Sequence, residues 1–258
     1  MARFDRFKKS SNPFLKDGTL AKVATEERTL DGGMIRRSGT AVEGRMTKEG
    51  AVNKSLLLGL ILLVGAVIGF WYANPVIIFG GAIVGLILVV IMSFKQNLSP
   101  TLAPVYAAVE GLFVGGISGY YALAAFPGII FQAVALTMAV FFLMLFLYKS
   151  GAIKVTQKLR AGVMMATGAV LVVYVLSFAL SFVGISIPYL HEGGMIGIGI
   201  SLLIVGIAAM NLLLDFEKGE EYGLPAYMEW FCAVGLIVTL VWLYLEILRL
   251  LALLSSSD

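Results

Sequence analysis

LLLGLILLVGAVIGFWYANPVIIFGGAIVGLILVVIMSF, residues 56–94, runs for nearly forty positions without a charged side chain. A helix crosses a hydrocarbon core with roughly 17–25 residues. A single helix over the whole stretch is too long for any bilayer. Asn74-Pro75 stands near its middle and is a turn signal. The stretch therefore reads as two spans, Leu56–Ala73 and Val76–Phe94. The connection is so short that they must be antiparallel neighbours.

The same reading extends towards the C-terminus. Five more apolar stretches follow, at Leu102–Ala125, Gly128–Tyr148, Ala161–Val183, Met195–Phe216 and Trp230–Leu254. Ser99-Pro100, Phe126-Pro127 and Ile187-Pro188 punctuate them. Backbone groups in lipid must be satisfied within the segment, which makes each such stretch a helix. The predicted architecture is all-α, a polytopic transmembrane helical bundle of seven spans over residues 55–258.

Residues 1–54 differ in kind. They hold twelve Lys or Arg and seven Asp or Glu, whereas the remaining 204 residues hold only seven Lys or Arg. They lack helical or strand periodicity and contain no apolar stretch of signal-peptide type. They read as a basic, largely disordered tail suited to anionic headgroups rather than to nucleic acid.

The remaining positive charges orient the bundle. Lys95, the group Lys149, Lys154, Lys158 and Arg160, and Lys218 lie in alternate connections. The intervening connections at 74–75, 126–127 and 184–194 carry no Lys or Arg. The positive-inside rule then places the N-terminus in the cytoplasm and the C-terminus outside a cell membrane.

Enzyme chemistry has little material. There is one cysteine, Cys232, and one histidine, His191. No disulfide, structural metal site or Ser-His-Asp site is expected, and no cofactor. An intramembrane aspartyl protease needs two aspartates within spans, and only Asp215 qualifies.

The glycines and the acids carry the remaining information. Gly111, Gly115 and Gly119 repeat every four residues in the third span, and Gly81 and Gly85 do so in the second. Small residues in one row allow close helix approach, so a packing seam is the preferred reading over a substrate-lining role. Charge in a span is costly and normally faces the bundle interior or water. Glu110 in the third span has no basic residue within two turns. Glu246 and Arg249 in the last span are three apart, which permits a plain intrahelical ion pair. Asp215 ends the sixth span, where the helix dipole is negative and Glu217, Glu220 and Glu221 follow. Both effects favour its protonated form, making it a candidate proton sensor, although an interfacial position explains it as well.

The strings "LLLDFEKGEE" at the end of the sixth span, "LVWLYLEILRLLALL" in the last and "YAAVEGLFVGGIS" in the third resemble the Bax-inhibitor family, bacterial branch. The resemblance covers about residues 50–258. It implies a bundle whose last helix is wrapped by the other six. It also implies a pH-sensitive calcium leak governed by two aspartates, one ending the sixth helix and one in the seventh. Asp215 matches the first. For the second, the local string "LYLE" points to Glu246, whereas the gapless register points to Thr239. Glu246 lies roughly 25 Å along the helix from Glu229, which favours Thr239 on depth. The second-helix acid of the family has no match, and Glu110 is the candidate substitute. Two classes of function stay open. One is a calcium or other cation leak channel or transporter, supported by carboxylate ligands suited to calcium. The other is a non-conducting protein that regulates a membrane partner such as a protease, supported by the charged tail.

Overall fold

The computed structural model describes residues 46–72, 74–125, 128–181, 194–218 and 224–255. Contacts divide the chain into Met1–Val42 and Glu43–Asp258, and everything described lies in the second unit. Seven long helices follow one another: α1 (Lys48–Trp71), α2 (Pro75–Phe94), α3 (Ser99–Ala124), α4 (Ile129–Lys149), α5 (Gln157–Ser181), α6 (Met195–Lys218) and α7 (Met228–Ser255). A 3-10 turn at Gln96–Leu98 links α2 to α3. All seven are long and apolar enough to cross a membrane. The chain is a multi-pass membrane protein, and apolar side chains such as Leu60, Phe79 and Leu203 on the outer faces meet lipid.

Local chemistry explains the helix ends. The Asn74 side chain accepts from the Ile77 N–H at 2.9 Å and Pro75 opens α2, so the turn signal is a capped helix start. Ser99-Pro100 likewise begins α3. Gly128 precedes α4 at φ 93°, a left-handed conformation that glycine adopts without penalty. Phe126-Pro127, Ile187-Pro188 and His191 lie outside the described residues.

One boundary moves. α1 begins at Lys48, inside the segment 1–54 read as tail. Thr47 caps it, accepting from the Gly50 N–H at 2.9 Å. The charges Lys48, Glu49 and Lys54 masked the helix because they occupy its first turns, before the apolar run begins.

α7 is the central helix. It packs against α1, α3, α4 and α6. Within its apolar window 56% of residues are buried, against 6% in α5, which packs mainly on α6. Leu243 and Leu248 of α7 are fully buried with Leu58 of α1, Tyr106 of α3 and Leu212 of α6. The most extensive helix pair is α1 with α3. There the backbones nearly touch. A Cβ on Gly111 would run into the Leu62 carbonyl oxygen, and one on Gly115 into that of Ala66. From the other side, Cβ atoms on Gly65 and Gly69 would meet the carbonyls of Ala108 and Leu112. Gly119 is buried too. On the α2 side, a Cβ on Gly81 would stand 3.0 Å from Phe113 Cβ.

Candidate functional site

Carboxylates meet α7 at three levels along its length. The first is its own N-terminal turn. Glu229 is buried, and its Oε1 accepts from the Thr47 N–H at 2.7 Å and the Thr47 hydroxyl at 2.9 Å. Lys54 donates to the other oxygen, and its ammonium lies 5.5 Å from the Trp230 ring centre. A Cβ on Gly50 would overlap the carboxylate, so any other residue there would force Glu229 out of the clamp geometry. This clamp joins the starts of the first and last spans. Sequence reasoning missed it. A threonine followed by an acid in the first turn marks a helix start, and Thr47 with Glu49 fit that signal. Nothing local pairs Lys54 with Glu229, 175 residues away.

The second level is the α6–α7 contact. The Thr239 hydroxyl reaches Asp215 Oδ2 at 2.5 Å and the Gly235 carbonyl at 3.1 Å. A Cβ on Gly235 would sit 3.7 Å from Asp215 Oδ1, so α7 presents a shallow surface to the acid. The gapless register therefore describes the geometry. Thr239, and not Glu246, stands opposite Asp215. The Thr239 hydroxyl has one hydrogen and two acceptors in reach. With Asp215 ionised, the hydroxyl donates to the carboxylate. With Asp215 protonated, the acid donates to the hydroxyl, which then donates to Gly235. Both states are satisfied at this contact, and Thr239 itself brings no negative charge against Asp215.

The third level lies seven residues further on, roughly 10 Å along α7. Glu246 is 4% exposed. Tyr174 of α5 donates its phenol hydrogen to Glu246 Oε1. Arg249 donates to the Tyr174 oxygen at 2.6 Å and stands 3.5 Å from Glu246 Oε2. That second oxygen is buried and has no hydrogen-bond partner. The expected intrahelical ion pair is thus present, but it is bridged by a tyrosine from another helix. Tyr174 carried no signal in the sequence, since a tyrosine in an apolar span looks like any packed aromatic.

Glu110 belongs to none of these levels. It lies on α3 facing α2, and a Cβ on Gly85 would be 2.6 Å from its Oε2. Among the described residues it makes no hydrogen bond or ion pair. At the end of α6, Glu217 pairs with Arg160 at 2.5 Å, bringing the start of α5 to the end of α6. Among the described residues no three His, Cys, Asp or Glu side chains group closely enough to hold a metal ion together.

The family model described as Bax inhibitor 1 like matches residues 11–256, and the chain belongs to that family. The match reaches well into segment 1–54, beyond the region 50–258 that carries the sequence resemblance. No curated protein matches the chain.

Proposed function

We propose, with membership of the Bax inhibitor 1 like family as the premise, that the protein is a pH-sensitive calcium leak pathway of a cell membrane. It performs no enzymatic step and needs no cofactor. The observation that carries this reading is the Asp215–Thr239 contact between α6 and the central α7. It puts a titratable carboxylate within the bundle at the joint of two spans. Calcium takes carboxylate, carbonyl and hydroxyl oxygens, and this joint offers all three.

The replacement of a second acid by Thr239 changes the expected control. Two acids sharing a proton part by repulsion when it leaves. Asp215 and Thr239 have no such repulsion. Here pH sets the charge of the path rather than prising the helices apart. Flux should rise as pH rises through the titration of Asp215.

Calcium flux into liposomes holding the purified protein alone, measured across pH, tests this. Asp215→Asn keeps the shape and removes the charge, so it should lower flux and flatten the profile. Thr239→Val should alter flux but keep a pH dependence, because Asp215 remains. Flux and profile unchanged in Asp215→Asn would remove Asp215 from the path. If the wild-type protein carries no calcium, the non-conducting reading takes its place, with the charged segment 1–54 as contact for a membrane partner.

Orientation belongs to the same proposal. The Lys and Arg asymmetry puts the start of α1 and the 95–101, 149–160 and 217–229 connections in the cytoplasm. Reporters fused at Gly151 and after Asp258 should report opposite sides.

A further inference from the structure

The Asp215 joint leaves the Tyr174–Glu246–Arg249 cluster without a role. Stability does not supply one. An ion pair taken out of water loses in desolvation much of what it gains in attraction, so it is weak evidence of a stabilising device. In a span the cost is greater still. The ion pair is present, but it is not closed by a hydrogen bond. Arg249 gives a hydrogen bond to Tyr174 at 2.6 Å and faces Glu246 Oε2 at 3.5 Å. Oε2 is buried and accepts no hydrogen bond. A carboxylate oxygen is thus held inside the bundle with a positive charge in front of it and no hydrogen bond made.

The surroundings are those of a ligand position. Glu246 supplies a carboxylate and Tyr174 a phenol oxygen, from two different helices. The guanidinium carbon of Arg249 stands 5.8 Å from the Tyr174 ring centre, so the ring face also favours a cation there. Glu246 follows Thr239 by seven residues and shares its face of α7, which puts this cluster in line with Asp215.

We infer that Glu246 and Tyr174 form a second cation-binding station, and that Arg249 fills it as a tethered cation. The station takes an inorganic cation that accepts oxygen ligands, such as calcium, when the guanidinium is withdrawn. The station deepens the leak reading by placing a second stop on the path. Its existence can be read without any flux.

Dicyclohexylcarbodiimide, which modifies carboxyl groups in apolar surroundings, is the probe. Full-length wild-type protein and Arg249→Gln are treated with and without millimolar calcium, and the Glu246 adduct is measured by peptide mass spectrometry. Arg249 should shield Glu246 in the wild type. Arg249→Gln should label several-fold more, and calcium should suppress that labelling. Arg249→Lys, which keeps a tethered cation, should stay shielded. Labelling of Arg249→Gln that calcium leaves unchanged would overturn the station, as would equal labelling in wild type and variant. Should Arg249→Gln not fold, Arg249→Met removes the tethered cation and leaves both oxygen ligands of the station in place. It should label more than wild type, suppressibly by calcium, and wild-type labelling there sinks the idea. Flux through the same proteins separates the two readings. Calcium-suppressible labelling without flux keeps the station and discards the leak. Flux with calcium-indifferent labelling does the reverse.

Discussion

The two sides of α7 are built on different principles. Towards α1 and α3 the bundle is closed by backbone against backbone. Gly65, Gly69, Gly111 and Gly115 interlock so tightly that a single methyl on any of them would meet the facing helix. The Glu229 clamp seals the end of that side, with both carboxylate oxygens bonded. Towards α5 and α6 polar side-chain tips meet across the helices beside the apolar packing of α6 on α7: Thr239 to Asp215, and Tyr174 to Glu246 and Arg249. The glycines of α5 make no close approach, since Gly162 and Gly168 have nothing within 4 Å of a built Cβ. A backbone seam cannot slide without collision, whereas hydrogen-bonded tips can exchange partners. The first side is a fixed wall, and the second is the side whose contacts can be exchanged without backbone collision.

The largest expected effect is on the wall. Gly115→Leu forces a side chain into the Ala66 backbone, where no flexible group can give way. Overpacking of this kind costs about 3 kcal/mol. Thermal unfolding in detergent should show a large drop for Gly115→Leu and a smaller one for Gly115→Ala. An unchanged melting curve would mean that α1 and α3 are not locked together.

The clamp comes next. Glu229→Gln keeps an oxygen for Thr47 but turns an amide nitrogen towards the Lys54 ammonium. Loss of a charge-assisted bond of this kind costs roughly 2 kcal/mol. Lys54→Met, measured alone and with Glu229→Gln, isolates the pair by a double-mutant cycle. Independent effects of the two changes would show that Lys54 is held by Trp230 rather than by Glu229.

The α3 half of the wall was legible in the sequence, whereas Gly65, Gly69, the Glu229 clamp and much of the polar side were not, for a physical reason. Span number, span ends and the four-residue glycine rows are local patterns, set by helix geometry and by the thickness of a bilayer. The acids were legible as oddities, because Glu110, Asp215 and Glu246 stand out in apolar runs. Their partners were not. Thr239 emerged only through a register argument, and Tyr174 not at all, since pairing across helices depends on how each helix is rotated. The start of α1 was misplaced for a related reason. Lys54 looks like a tail charge until Glu229 is brought beside it by the packing of the first helix on the last.

The smallest expected effect is the most telling for the comparison. Gly168 sits on α5, and its built Cβ meets no atom within 4 Å. If that face looks only at lipid, Gly168→Leu adds an apolar side chain to an apolar solvent. It also removes a residue with about 1 kcal/mol poorer helix propensity than alanine, a value measured in water and smaller where the bilayer already enforces the helix. The net change should lie within about 0.5 kcal/mol, as for ordinary surface substitutions. The same leucine on Gly115 then serves as its counterpart, identical in chemistry and opposite in surroundings. A Gly168→Leu protein that unfolds as early as Gly115→Leu would show that α5 is covered in the membrane, by a second copy or another protein. The polar side would then be a shielded interface, and partner exchange at Tyr174 would require that cover to move as well.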